Sequence, residues 1–203
     1  MMALRMPRGA EREYIATSGI CAVYVAALPA GPAYVGISRD LLHSLRALRR
    51  KWPALQITAA FWVQAKSDAR LICREVNSSL PHGEQGLLVA TAKAAERKVE
   101  NVAAHMGIAL TDHATVLMRT RAAVAYIERQ IAQAQATGEL QWFNRAFRSW
   151  RLQAKQYGRS MSYAEARARL RQKLFRQLLS NEVQNEPKSL FPPLPGIDFR
   201  VSG

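Results

Sequence analysis

The stretch Ala22–Arg46, AVYVAALPAGPAYVGISRDLLHSLR, decides how the rest of the chain is read. Two short runs, 22–28 and 33–38, are rich in Val, Tyr and Ile, side chains that fit a pleated surface. Between them lies Pro29-Ala30-Gly31-Pro32, which no helix interior accepts and a hairpin turn does. Asp40 follows the second run where a helix N-cap belongs, and Leu41, Leu45 and Leu48 then recur on one helical face. The predicted order is strand, turn, strand, helix, with Tyr24 and Tyr34 near the middles of the two strands.

Moving outward, Lys51-Trp52-Pro53 closes the helix, because proline disfavours a helical residue before it. Residues 55–64, LQITAAFWVQ, read as a third strand carrying Ile57, Phe61 and Val63. Asp68 is expected to cap a second helix to about Leu80, with Leu71, Ile72, Val76 and Leu80 along one side, and Pro81-His82-Gly83 ends it. Residues 19–84 thus form an α+β unit, a small three-stranded sheet with two helices. In front of it, 1–18 mixes Arg, Pro, Gly and Glu with little periodicity and reads as a flexible leader.

Residues 85–180 read as all-helical. Ala92, Ala95, Val99, Val102 and Met106 repeat at three and four residues, a seam of the bundle kind, until Gly107 stops the helix. A further helix starts at Thr111 or Asp112 and carries Leu117, Val124, Ile127 and Ile131 to about Thr137, before Gly138. Residues 140–157 and 162–179 make two more, parted by Gly158, the second opened by the capping box Ser162…Glu165. Ala103 and Gly107, four apart, also have the spacing of a helix-turn-helix corner, though any helical pair joined at glycine shares it. Residues 181–203 turn polar and Pro-rich and read as an extended tail.

Ala22-Val23-Tyr24, then Tyr34-Val35-Gly36 ten positions on, then Ser38, Asp40 and Leu41 entering a helix, resembles the GIY-YIG nuclease superfamily. The first tripeptide stands where that family writes Gly-Ile-Tyr and the second where it writes Tyr-Ile-Gly, and the likeness covers about residues 20–80. It implies a phosphodiester-cutting site in which two tyrosines position and activate a water. An arginine on the first helix would steady the phosphate, and a glutamate on the next would hold a divalent cation, both stabilising the charge that grows in the transition state. Tyr24 and Tyr34 match this pattern as catalytic candidates. The arginine position is Ser44 and the glutamate position is Cys73, so cleavage is expected to be crippled. Arg46 and Glu75 stand two places further on in each helix, about 200° around it. They are the candidate catalytic arginine and metal ligand of an active endonuclease whose groups have moved, and such an enzyme would need Mg2+ or Mn2+.

The charge balance points to the partner. Lys and Arg number 29 against 15 Asp and Glu, a net charge of +14, which fits a polyanion such as nucleic acid. Residues 141–180 concentrate it in Arg145, Arg148, Arg151, Lys155, Arg159, Arg167, Arg169, Arg171, Lys173 and Arg176, opposed only by Glu165. Ordinary helical faces mix both signs, so these ten are the candidate phosphate contacts, with DNA favoured over structured RNA. Phe143, Phe147, Trp150, Ala154 and Tyr157 form an apolar stripe beside them, expected to face the core. An acidic protein partner would be met by the same charge.

Cys21 and Cys73 make no disulfide framework, sit among apolar residues and fit a reducing compartment. The uncharged run 14–38 is broken by Pro29, Gly31 and Pro32, so no membrane partner is expected and the chain is placed in the cytoplasm. His43, His82, His105 and His113 are scattered without metal-ligand spacing, and no Walker loop, Rossmann glycine set or nucleophile elbow occurs.

Overall fold

The computed structural model describes residues 4–29, 31–83, 86–138 and 141–182. It is a mixed α+β protein: a four-stranded antiparallel open sheet and, among the described residues, seven helices. The chain divides into two compact units, Met1–Arg8 with Gly19–Met118, and Gly9–Ser18 with Arg119–Gly203.

In the first unit, β1 (Cys21–Ala27) pairs with β2 (Ala33–Ser38) across the predicted hairpin, in register Tyr24↔Gly36 and Ala26↔Tyr34. Its other edge pairs with β3 (Gln56–Val63), giving the order β2-β1-β3-β4. All seven residues of β1 are buried, which explains a near-continuous apolar run rather than an alternating one: both faces of the central strand are covered. On one face, Val23, Val25, Val35 and Val63 pack against Ala69, Ile72 and Val76 of α3 (Lys66–Ser79) and Ala95, Val99 and Val102 of α4 (Ala92–His105). On the other face lies α2 (Leu41–Lys51), capped as expected by Asp40, whose carboxylate accepts from the His43 N–H at 3.1 Å.

Several expectations change. Asp68 does not cap α3; the helix begins at Lys66, and Asp68 sits in its first turn, where a carboxylate favours the N-terminal end of the helix dipole. The seam of α4 is buried against the sheet and not in a helical bundle, and Met106 at its end is exposed. Thr111 and Asp112 form a fourth short strand, β4, against Phe61 and Trp62. Asp112 also accepts from the Thr115 N–H at 2.9 Å as α5 (His113–Ala136) begins. Seven residues including a strand therefore separate α4 from α5, which is not a helix-turn-helix corner. The division of the chain falls within α5, not at residue 84.

The second unit holds the rest of α5, α6 (Gln141–Gln156), α7 (Tyr163–Glu182) and an element expected to be flexible leader, α1 (Ala10–Ser18). Tyr14 and Ile15 of α1 are buried, and the Tyr14 ring meets Phe175 of α7 edge-on at 5.1 Å. Leu4, itself part of the first unit, donates its N–H to the Ile57 carbonyl of that same unit at 3.1 Å. The capping box of α7 forms, with the Glu165 N–H donating to Ser162 Oγ at 3.2 Å. Of the expected Pro-rich tail only 181–182 is described, as the end of α7; the rest lies outside the described residues. No described helix is long and apolar enough to cross a membrane.

Candidate functional site

The two tyrosines singled out in the hairpin share one face of the sheet. Directly opposed residues and alternate residues of a strand point the same way, so the register puts Tyr24, Ala26, Tyr34, Gly36 and Ser38 together, under α2. The Tyr24 and Tyr34 rings lie 6.1 Å apart, and Tyr34 lies 6.0 Å from Trp52 just past α2. Gly36 is what lets the rings approach: a Cβ there would stand 2.7 Å from Tyr24 Oη and 2.7 Å from Tyr34 Cε1.

A row of hydroxyls runs from this pair. Tyr24 hydrogen-bonds both Tyr34 and Ser44. Ser44 Oγ and Ser38 Oγ are 2.7 Å apart, and Ser38 Oγ accepts from the Asp40 N–H at 2.9 Å. Cys73 of α3 packs against the valine cluster on the other face of the sheet, near enough for its field to raise the tyrosines; its thiol donates to the Val35 carbonyl at 3.7 Å, and Asn77 Nδ2 lies 3.3 Å from Sγ. Tyr24 is 3% exposed and Ser38 8%, so the row is largely closed to water. Burial pushes Tyr24 well above the ordinary phenol range, helped by the neighbouring Tyr34, and burial likewise raises Tyr34 and Cys73. At neutral pH the row is therefore uncharged, two phenols and two serine hydroxyls, and the Cys73 thiol on the α3 side is neutral too.

Ser44 reaches Tyr24, whereas Cys73 acts on the tyrosines only through its electrostatic field. Arg46 is exposed, about 200° around α2 from Ser44. Glu75 is exposed too and lines a shallow hollow with Lys98, Asn101 and His105 of α4. The structure does not bring either of them to the tyrosine pair. Among the described residues no group of three or more His, Cys, Asp or Glu is placed to hold a metal ion. Mg2+ and Mn2+ take carboxylate-rich oxygen sets, and the neutral hydroxyls and thiol around Tyr24 do not fit either ion.

Of the ten cations of residues 141–180, eight are exposed, Arg159 in the turn after α6 among them, and Arg167 and Arg171 are partly buried. On α6, Arg145, Arg148, Arg151 and Lys155 recur at i, i+3, i+6 and i+10, within a strip about 120° wide. All four are exposed, and α6 contains no Asp or Glu. On α7, Arg169, Lys173 and Arg176 lie within about 60° of one another and are exposed. Arg167 and Arg171 face the other way. Arg167 pairs with Glu128 of α5 at 2.7 Å, and Arg171 holds Glu13 of α1 through two contacts of 3.1 Å. These two are partly buried and held in ion pairs to carboxylates of α1 and α5, on the side of α7 away from the exposed strip.

The aromatic stripe is core only in part. Phe143 is buried and meets Phe147, Trp150 and Tyr163, but Tyr157 is 81% exposed. It lies one residue past the end of α6, where the helical spacing that placed it on the stripe no longer applies. Sequence reasoning passed over the roles of Ser38 and Gly36, which the register with Tyr24 could have suggested, and the pairing of Arg171 with Glu13, for which no local signal exists. Comparison with protein-family models, with curated proteins and with solved structures finds no match for this chain.

Proposed function

We propose that this protein binds nucleic acid through its phosphates, using the second unit, and that the first unit is a GIY-YIG-like scaffold without a working nuclease site. The observation that carries the binding reading is the acid-free exposed strip of Arg145, Arg148, Arg151 and Lys155 on α6. Four guanidinium and ammonium groups in one strip repel one another unless a polyanion screens them, and phosphate is the anion that repeats along a chain. Exposed Arg159, Arg169, Lys173 and Arg176 extend the same sign onto the loop after α6 and onto α7.

For the first unit, support comes from Tyr24 and Tyr34 on paired antiparallel strands, with the hydroxyl of Ser44 beside Tyr24 and the thiol of Cys73 nearby on α3, at the positions where the family resemblance implies arginine and glutamate. A neutral, buried hydroxyl row offers neither a counter-charge for a phosphodiester nor a seat for a hard cation.

Fluorescence anisotropy of a labelled DNA duplex, titrated between about 50 and 200 mM salt, tests the proposal. Engagement of the four α6 cations alone gives a log–log slope of about −4, and Arg148→Ala should reduce its magnitude by about 1. Affinity that does not change over that range, or no binding at its low end, overturns it.

A further inference from the structure

We infer that the hollow between the end of α6 and the start of α7 is a seat for one unpaired nucleobase, so that the protein prefers single-stranded to fully paired nucleic acid. The inference rests on the phosphate-binding reading and names the form of nucleic acid that the same unit takes.

The hollow measures ≈520 Å³ and is lined by Trp150, Ala154, Tyr157, Arg159, Met161 and Arg169, among others. That is the size of a small-ligand pocket, about 300–1,000 Å³. Its chemistry is aromatic and cationic at once. Trp150 is half-buried, steadied by an edge contact with Phe143 at 6.3 Å, and the Arg169 guanidinium stands 5.9 Å from its ring centre. Tyr157 projects its ring into solvent at 81% exposure, where it contributes little to the core.

The backbone fixes this arrangement. Gly158 takes φ +67°, the left-handed conformation that ends a helix, and the Arg159 N–H donates back to the Ala154 carbonyl at 2.9 Å. Tyr157 and Arg159 are thereby held on either side of a closed turn, not on a free loop. Glu165, the sole acid of residues 141–180, is turned away by its own capping role, its Oε2 accepting from the Ser162 N–H at 2.7 Å. Within the hollow, the exposed Tyr157 ring is available for stacking, the Trp150 ring being overlain by Arg169, and the guanidiniums of Arg159 and Arg169 stand ready for the phosphates flanking a base.

A base within a duplex has its faces covered by its neighbours and cannot enter such a hollow, whereas an unpaired base presents a free π-face. Arg169 also belongs to the exposed strip with Lys173 and Arg176, at rises of about 6 and 10 Å along α7, so a backbone following those cations arrives at the hollow.

The test compares three labelled probes of equal length at one salt concentration, using the full chain: a thymidine oligonucleotide, an abasic deoxyribose-phosphate chain and a blunt duplex. The expected result is thymidine bound about 10-fold more tightly than the abasic chain, the scale of one stacked base. Tyr157→Ala should remove most of that preference and leave binding of the abasic chain unchanged. Equal affinity of the wild type for thymidine and abasic chains overturns the inference, as does a folded Tyr157→Ala variant that keeps the preference. If the abasic chain and duplex still bind and weaken with salt, only the base seat falls; if no probe binds, the phosphate reading falls with it.

Discussion

Arg171 of α7 holds Glu13 of α1 in a two-pronged ion pair, Nε to Oε2 and Nη2 to Oε1, both 3.1 Å, and reaches Glu128 of α5 at 3.4 Å. One guanidinium thus joins three helices of the second unit. The pair is only partly buried, at 16% and 25% side-chain exposure, so solvent screening limits its worth. Glu13→Ala should lower stability by about 1–2 kcal/mol, the scale of charge-assisted hydrogen bonds, read as a lower urea midpoint at unchanged m-value. A midpoint equal to that of the wild type would show that α1 is not anchored by this contact. If the proposed phosphate binding holds, its affinity should stay as it was, because Arg171 is engaged by Glu13 and Glu128.

Gly36 makes a second, sterically defined prediction. The added methyl group of Gly36→Ala would fall 2.7 Å from both Tyr24 Oη and Tyr34 Cε1, closer than a Cβ tolerates. Both rings are confined, Tyr34 by Trp52 and Tyr24 by the hydrogen bond to Ser44, so neither can swing away freely. The variant should lose about 1–3 kcal/mol, as overpacked cores do. Tyr34→Phe, which removes a single hydroxyl partner, should lose about 0.5–1.5 kcal/mol. Chemical denaturation of the two variants side by side checks the order; a Gly36→Ala protein as stable as the wild type would mean that the rings are not packed over this glycine.

How much of this was legible in the sequence follows from the reach of each signal. The hairpin was, because Pro29, Gly31 and Pro32 exclude a helix locally and Asp40 marks the next helix start. The partner of α4 was not: a three-and-four periodicity says which face is buried but not whether a helix or a sheet covers it. α1 escaped notice because its buried residues are the adjacent pair Tyr14 and Ile15, and Phe175, which meets Tyr14, lies far along the chain. β4, with two residues, has no period to detect. At the sites, the tyrosines and the sign of the charge could be read, but not which arginines point outward. Arg167 and Arg169 differ only in which side of α7 they occupy, and that depends on carboxylates of α1 and α5.

The uncharged character of the tyrosine row gives a third prediction. Supercoiled plasmid incubated with the protein and Mg2+ or Mn2+ should remain uncut, and Tyr34→Phe should behave like the wild type. The reason is chemical: a serine stands beside Tyr24 and a thiol occupies position 73, while Arg46 and Glu75 are exposed elsewhere on α2 and α3. Nicking by the wild type that Tyr34→Phe abolishes would show a working phosphodiesterase. Arg46→Ala and Glu75→Ala would then reveal whether those two groups move into the site.

His113 supplies a pH dependence whose sign can be worked out. Its ring is 6% exposed and lies between two fixed partners. The Trp62 Nε1–H donates to Nδ1 at 3.1 Å, and Nε2 lies 2.7 Å from the Arg5 carbonyl oxygen, to which it donates. This is the neutral tautomer; a proton added at Nδ1 would confront the indole donor. Burial lowers the folded-state pKa below the ordinary histidine value, against the opposing pull of the Arg5 carbonyl and the Asp112 carboxylate. As pH falls through about 6.5 the unfolded chain takes up a proton that the folded chain refuses, so stability is full above that value and declines below it. The unfolding midpoint should be level from about pH 7 to 8 and drop between about 6.5 and 5.5. His113→Gln, which keeps a donor and an acceptor without a titrating ring, should start lower but stay flat across that interval. A variant curve that falls in parallel with the wild type would assign the acid sensitivity to some other group.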